Sequence, residues 1–160
     1  MDPGSRITGI GIVQSAGARL IHIEHFPIRI PASKNSADKL VCFADQFQHV
    51  IDRYDNCTMI IESLFTAKNV RSILQLSHIR GVAMMMAARR GWNVIEIPPA
   101  TVKQNITGYG RATKEQIQFM VQRLLRLPEL PKPNDCADAL AMAICYLNQA
   151  RFDRRIRKSR

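Results

Sequence analysis

The sequence predicts an α/β fold with a mixed sheet, antiparallel at its start and parallel further on, flanked by helices. Three observations carry this. Two alternating apolar stretches, 6–13 and 18–30, lie on either side of the short turn QSAG, the pattern of an antiparallel hairpin. Two short apolar runs, 57–61 and 92–97, are separated by a long helical pattern over 68–90. Strand, helix, strand implies a crossover and a parallel pair. At 160 residues the chain is long enough for one domain with a core of its own.

The elements follow in order. The chain opens MDPGSRITGIGIV. D-P-G-S is turn chemistry: Pro3 presets φ, and Gly4 is expected at positive φ. Ile7, Ile10, Ile12 and Val13 then read as a strand, so the turn has a strand after it and none before it. In the second strand Leu20, His22 and Glu24 alternate with Ile21, Ile23 and His25. Leu40, Phe43, Phe47, Val50 and Ile51 have helical spacing within 36–54. The run CTMII (57–61) fits a buried strand and leads into Glu62. Over 68–90, Val70, Ile73, Leu74, Ser77, His78, Val82, Met85 and Met86 trace a broad stripe. WNVIEI (92–97) is a strand, and Pro98 and Pro99 open a short helix through Lys103. A glycine-containing loop enters a helix over 113–127, with Lys114 in its first turn. Three prolines, Pro128, Pro131 and Pro133, stiffen the connection to a last helix, 134–149, for which Asn134 is the expected N-cap. The domain is expected to span 1–150, followed by a basic, disordered tail over 151–160.

Lys and Arg outnumber Asp and Glu by 23 to 13, which gives a net charge of +10. Such an excess on one domain points to a polyanionic partner, with nucleic acid the first candidate. No apolar run of about 18 residues is present, so no membrane span is expected. Cys42, Cys57, Cys136 and Cys145 have no CxxC spacing and are expected as reduced thiols, which places the chain in the cytoplasm. His22, His25, His49 and His78 form no ligand pattern.

Four carboxylates stand out. Asp2 starts a turn, Glu62 ends an apolar strand, and Asp135 and Asp138 lie three apart on one helix face. Each alone has an ordinary explanation: a turn residue, a strand meeting solvent, acids complementing a helix dipole. Together they belong to one edge of an α/β sheet, where the carboxyl ends of parallel strands meet. Four close carboxylates on a basic protein call for cations, and hard divalent ions with oxygen ligands suit them. A pair of such ions activates water and stabilises the leaving oxygen of a phosphodiester.

At these residues the chain resembles the RuvC family of Holliday-junction endonucleases. The matching stretches are DPGSRITGIG (2–11), IIESLFTAKN (60–69), IRGVA (79–83), VKQNITGYGRATKEQIQFMV (102–121) and DCADALAMAI (135–144). The resemblance implies a ribonuclease-H-like, or retroviral-integrase-like, mixed five-stranded sheet. It implies that Asp2, Glu62, Asp135 and Asp138 are the catalytic, metal-binding residues, with two Mg²⁺ ions per subunit that Mn²⁺ can replace. It implies a homodimer that nicks two like strands of a four-way DNA junction, leaving 5′-phosphate and 3′-hydroxyl ends. Phe65 matches the aromatic residue that contacts bases near the crossover, where stacking serves any base. Lys103 and Lys114 match basic residues that approach the backbone at the cleavage site. Lys68, Arg71 and Arg111 are further positive charges expected near DNA. The helix over 68–88 corresponds to the dimer-forming helix, and a branch-migration complex of the RuvA and RuvB type is the implied partner.

Two other readings compete: another ribonuclease-H-like nuclease acting on RNA–DNA hybrid or rRNA, and a junction-binding protein without activity. The second follows from the front of the chain. In the family the aspartate ends a first strand of several apolar residues, and that strand is truncated here. It would be central in the sheet, and its loss would leave unpaired edges and remove apolar burial. The expectation is that the native chain starts upstream with Met1 internal; the alternative is a loosely held Asp2.

Overall fold

The computed structural model describes residues 1–32, 35–63 and 70–158. Its elements come in the predicted order: β1 (Ile7–Ala16), β2 (Arg19–Arg29), α1 (Ser36–Arg53), β3 (Thr58–Glu62), α2 (Val70–Arg89), β4 (Asn93–Ile97), α3 (Pro99–Thr107), α4 (Lys114–Leu125) and α5 (Asn134–Lys158). β1 and β2 form the antiparallel hairpin, with Ile7 opposite Arg29 and Ala16 opposite Arg19. β3 and β4 pair in parallel, with Thr58 opposite Asn93 and Glu62 opposite Ile97.

The mixed α/β fold is the expected one; it is the strand pairing that differs, because among the described residues the four strands form two separate two-stranded sheets. Only Met1 and Asp2 stand between them. Asp2 and Gly9 exchange two backbone hydrogen bonds of 2.9 Å, and the Met1 ammonium donates to the Ile60 carbonyl at 2.7 Å.

Strand alternation sends side chains to two cores. Ile61 joins Ile10, Ile28, Phe43, Phe47 and Ile79 on the α1 and α2 side. Its neighbour Ile60 joins Ile97, Val121, Leu140 and Ile144 on the α3, α4 and α5 side. The four residues buried on α1, Phe43, Phe47, Val50 and Ile51, are those whose spacing predicts the helix. Asn35 caps it, its side chain accepting from the Asp38 amide at 2.9 Å. Thr113 and Gln116 form a capping box at the start of α4, which fixes where Lys114 emerges.

Three local expectations change. Gly4 does not take positive φ; it is required because a Cβ there would lie 1.9 Å from the Ile7 carbonyl oxygen. Asn134 does not cap α5: the helix starts at this residue, and its side chain accepts from Gln118 on α4 at 3.3 Å. The last helix also runs further than the expected 134–149. α5 continues to Lys158, and Arg151 anchors it by donating to Ser15 Oγ at 3.1 Å and the Arg19 carbonyl at 2.7 Å. Among the described residues no helix is long and apolar enough to cross a membrane.

Candidate active site

The carboxylates reach one region by three routes. Asp2 is set by its backbone pair with Gly9. Glu62 is the last residue of β3, whose ladder to β4 is continued by the Ser63 amide donating to the Ile97 carbonyl at 3.0 Å. Asp135 and Asp138 lie at the start of α5, which packs directly on β1. A Cβ at Gly9 would lie 2.0 Å from the Asp135 carbonyl oxygen, so glycine there lets the helix come close enough to share a site with Asp2.

Their proximity shows in their electrostatics. Burial, then the negative charges of Asp138 and Glu62, push the Asp2 carboxyl up to about 7 from its ordinary 3.8. Burial and Asp138 also raise Glu62, opposed by Lys114, Lys103 and Arg80. Asp138 is raised by burial, and Lys114 opposes this most strongly. The Lys114 ammonium stands 3.7 Å from Asp138 Oδ2, though with its side chain 70% exposed it remains free to move. Lys103, half-buried on α3, acts on the same carboxylates.

Arg80 is a residue that charge and motif inspection alone undervalues. It is 7% exposed on α2 and donates to the Glu62 carbonyl while pairing with the Glu96 carboxylate on β4. It thereby ties together the carboxyl ends of the two parallel strands. Its signal in the sequence is a charge between Ile79 and Ala83, both on the buried face of the helix. Beside Glu62, the buried Ser63 hydroxyl has no hydrogen-bond partner among the described residues.

Not every predicted residue is brought in. Arg111 is exposed between α3 and α4 and enters no hydrogen bond or ion pair with a described residue. Phe65 and Lys68 lie outside the described residues, as does the side chain of Arg71 at the start of α2. Among the described residues, no three His, Cys, Asp or Glu side chains are gathered closely enough to grip one ion. Mutual repulsion opposes such gathering by like charges. The donor set nevertheless suits a hard cation: carboxylate oxygens only, partly buried, and destabilised by one another.

Comparison with known proteins decides the lineage. Residues 1–146 match the profile of the family described as "Crossover junction endodeoxyribonuclease RuvC". The chain belongs to the RuvC family. It is 41% identical to the RuvC of Ruminiclostridium cellulolyticum over 152 residues, covering 95% of this chain and 92% of that one. The RuvC of Thermotoga petrophila is 40% identical over 156 residues, covering 96% and 93%. In three dimensions the chain is similar to Thermus thermophilus RuvC solved in complex with a Holliday junction substrate. The TM-score is 0.88 at 26% identity, covering 95% of this chain and 93% of that one.

Proposed function

We propose that Asp2, Glu62, Asp135 and Asp138 form the active centre with which this chain nicks two like strands of a Holliday junction. The observation that carries the reading is the shared field of carboxylates from the chain's start, the end of β3 and the start of α5, faced by Lys103 and Lys114. The family assignment makes the chain a Holliday-junction-resolving endodeoxyribonuclease of recombination and repair.

The four carboxylates would hold divalent cations, two Mg²⁺ per subunit with Mn²⁺ able to substitute. Bound there, such ions supply an activated water and charge stabilisation for the leaving oxygen. The chain's own residues do the rest. The net charge of +10 draws the junction in, and this term weakens with salt. Lys114, exposed and loosely held by Asp138, turns to a phosphate oxygen and offsets charge developing there. Lys103 holds the adjacent backbone. Phe65 stacks on a base at the crossover, with Lys68, Arg71 and Arg111 on flanking phosphates. Exposed Leu74 (54%) and Met85 (51%) on α2 support a homodimer seam along that helix. Symmetric nicking needs two subunits. The nuclease domain is taken as 1–150, working in the cytoplasm with a RuvA- and RuvB-type branch-migration complex; four free cysteines suit a reducing compartment.

The test compares labelled four-way junctions with linear duplex and RNA–DNA hybrid. Junctions alone should be nicked, by divalent-dependent hydrolysis leaving 5′-phosphates. Asp2→Asn and Glu62→Gln should each lower the nicking rate at least ~1,000-fold. Junction affinity should stay within about threefold, because the basic surface drives it. Normal nicking by either variant would remove that carboxylate from the site.

A further inference from the structure

Between α3 and α4, Tyr109 holds a large ring in solvent. It is 59% exposed, and its side chain enters no hydrogen bond, ion pair or ring contact with a described residue. An exposed aromatic alone means little. The backbone beneath this one is what sets it apart, because it is fixed on both sides. Gly108 leaves α3 in the left-handed region, at φ 74°, with its amide donating to the Gln104 carbonyl at 2.9 Å. The Gln104 side chain returns the bond, donating to the Gly108 carbonyl at 2.9 Å. The Tyr109 amide donates to Thr107 Oγ1 at 3.2 Å, and the Tyr109 carbonyl accepts from the Ala112 amide at 3.2 Å. Ala112 is buried in the core with Ile106 and Ile117, and Thr113 caps α4 just beyond it. The turn therefore presents the ring from a set position, and a contact made there costs little ordering.

The same turn joins the two lysines of the active centre. Lys103 and Lys114 both act on Glu62 and Asp138. Tyr109 lies six residues after the first and five before the second. Thr107, which receives the Tyr109 amide, also donates to the Lys103 carbonyl at 2.9 Å. Every charged residue from 103 to 114 is basic: Lys103, Arg111 and Lys114. A flat apolar ring among cations suits a polyanion whose uncharged parts are themselves flat, and a nucleic-acid strand is such a polymer. Five residues of chain reach at most ~18 Å, which spans about five nucleotides at ~3.4 Å of rise each.

We propose that Tyr109 is a base-stacking residue of this nuclease, its ring taking an unstacked base of the cleaved strand within about five nucleotides of the nick. The inference rests on the reading of the chain as a junction-nicking enzyme. A four-way junction interrupts base stacking at its branch point, whereas a continuous duplex keeps its bases stacked and paired. The ring therefore separates junction from duplex instead of adding affinity for both. Any base serves, because every base has a π-face. Labour is divided along the turn: the lysines act on charge, and the ring acts on a base.

The test uses the full chain in chelator, so that binding is read without cleavage, on a four-way junction and a linear duplex of the same sequence. Tyr109→Ala should weaken junction binding about tenfold and leave duplex binding within about twofold. Tyr109→Phe should keep the wild-type affinity, and Tyr109→Leu, apolar but not planar, should behave as the alanine variant. Tm should be unchanged in all three, since the ring is exposed. The slope of log affinity against log salt should also stay the same, because no phosphate contact is lost. A 2-aminopurine scanned over about five positions on each side of the nick should find the stacked base, as the position where emission on binding differs between wild type and Tyr109→Ala. With Mg²⁺ added, the loss should appear in KM while kcat is kept. Equal junction binding by wild type and Tyr109→Ala overturns the proposal. So does rescue by leucine, an equal loss on duplex, or a scan in which no position differs. A wild-type chain that neither prefers nor nicks junctions overturns the nuclease reading, and this inference with it.

Discussion

Glu62 and Asp2 belong to the same cluster, but the fold holds them very differently. Glu62 ends a five-residue strand paired along its length with β4, and Arg80 braces it from behind. Asp2 is tied to β1 by a single isolated bridge, its backbone exchanging two hydrogen bonds with Gly9. Yet Asp2 is the carboxylate most disfavoured as an anion. The comparison teaches that the site concentrates its electrostatic strain where its scaffold is thinnest.

Titration sharpens that contrast most. A carboxyl raised from 3.8 to about 7 means that the folded state keeps a proton the unfolded chain releases. Stability therefore falls as pH rises from ~4 to ~7, by at most about 4 kcal/mol at 1.36 kcal/mol per unit. The Met1 ammonium acts in the opposite sense. Lowered from 8.0 to about 6, it makes the folded state the poorer proton binder, so stability recovers as pH rises from ~6 to ~8. Urea melts in chelator should show a minimum near neutrality. Asp2→Asn should remove most of the acid-side slope and stabilise the protein at pH 7 while abolishing nicking. A flat profile would mean that Asp2 is not held in the field of its neighbours.

Breaking the firm side comes next. Arg80→Met removes a buried cation and leaves the Glu62 carbonyl without its donor. Glu96 is 47% exposed and keeps water, which limits the loss to about 3 kcal/mol. Arg80→Lys should recover part of it, with only one of the two contacts kept. If α2 were merely packed there, Met would be tolerated within ~1 kcal/mol.

The helix that carries the other two carboxylates can be displaced at one atom. Gly9→Ala puts a methyl where the Asp135 carbonyl oxygen stands, and backbone must move. The expected cost is about 2 kcal/mol. Nicking should drop ~100-fold, since small misplacements at a reacting centre are costly. Junction binding should be unchanged.

What the sequence discloses follows the same division. Periodicity reveals α1 because all four of its buried residues repeat on one face. The four acids are readable because they recur in known order, and the charges of Asp138, Glu62 and Asp135 all act on Asp2. Arg80 is not readable by periodicity, because a charge within an apolar stripe looks like an interruption until its partners on two strands are seen. The hairpin and crossover patterns do not reveal that the described strands fall into two sheets. The sequence does not show that Met1 and Asp2 still bridge the gap. Glycine at 9 reads as a weak strand residue; its purpose is the helix that arrives from 126 residues later, which local pattern cannot reveal.

The end of α5 provides the mildest contrast with its beginning. There Arg151 reaches across to Ser15 and Arg19, and these contacts are solvent-exposed. Exposed hydrogen bonds contribute little net stability, about 0.5 kcal/mol for Arg151→Ala. The effect should be local. Amide exchange over 151–158 should accelerate, while exchange around Leu140 and the nicking rate stay unchanged. If exchange near Asp138 accelerates as well, α5 behaves as one cooperative unit, and its basic end then bears on the position of the carboxylates at its start.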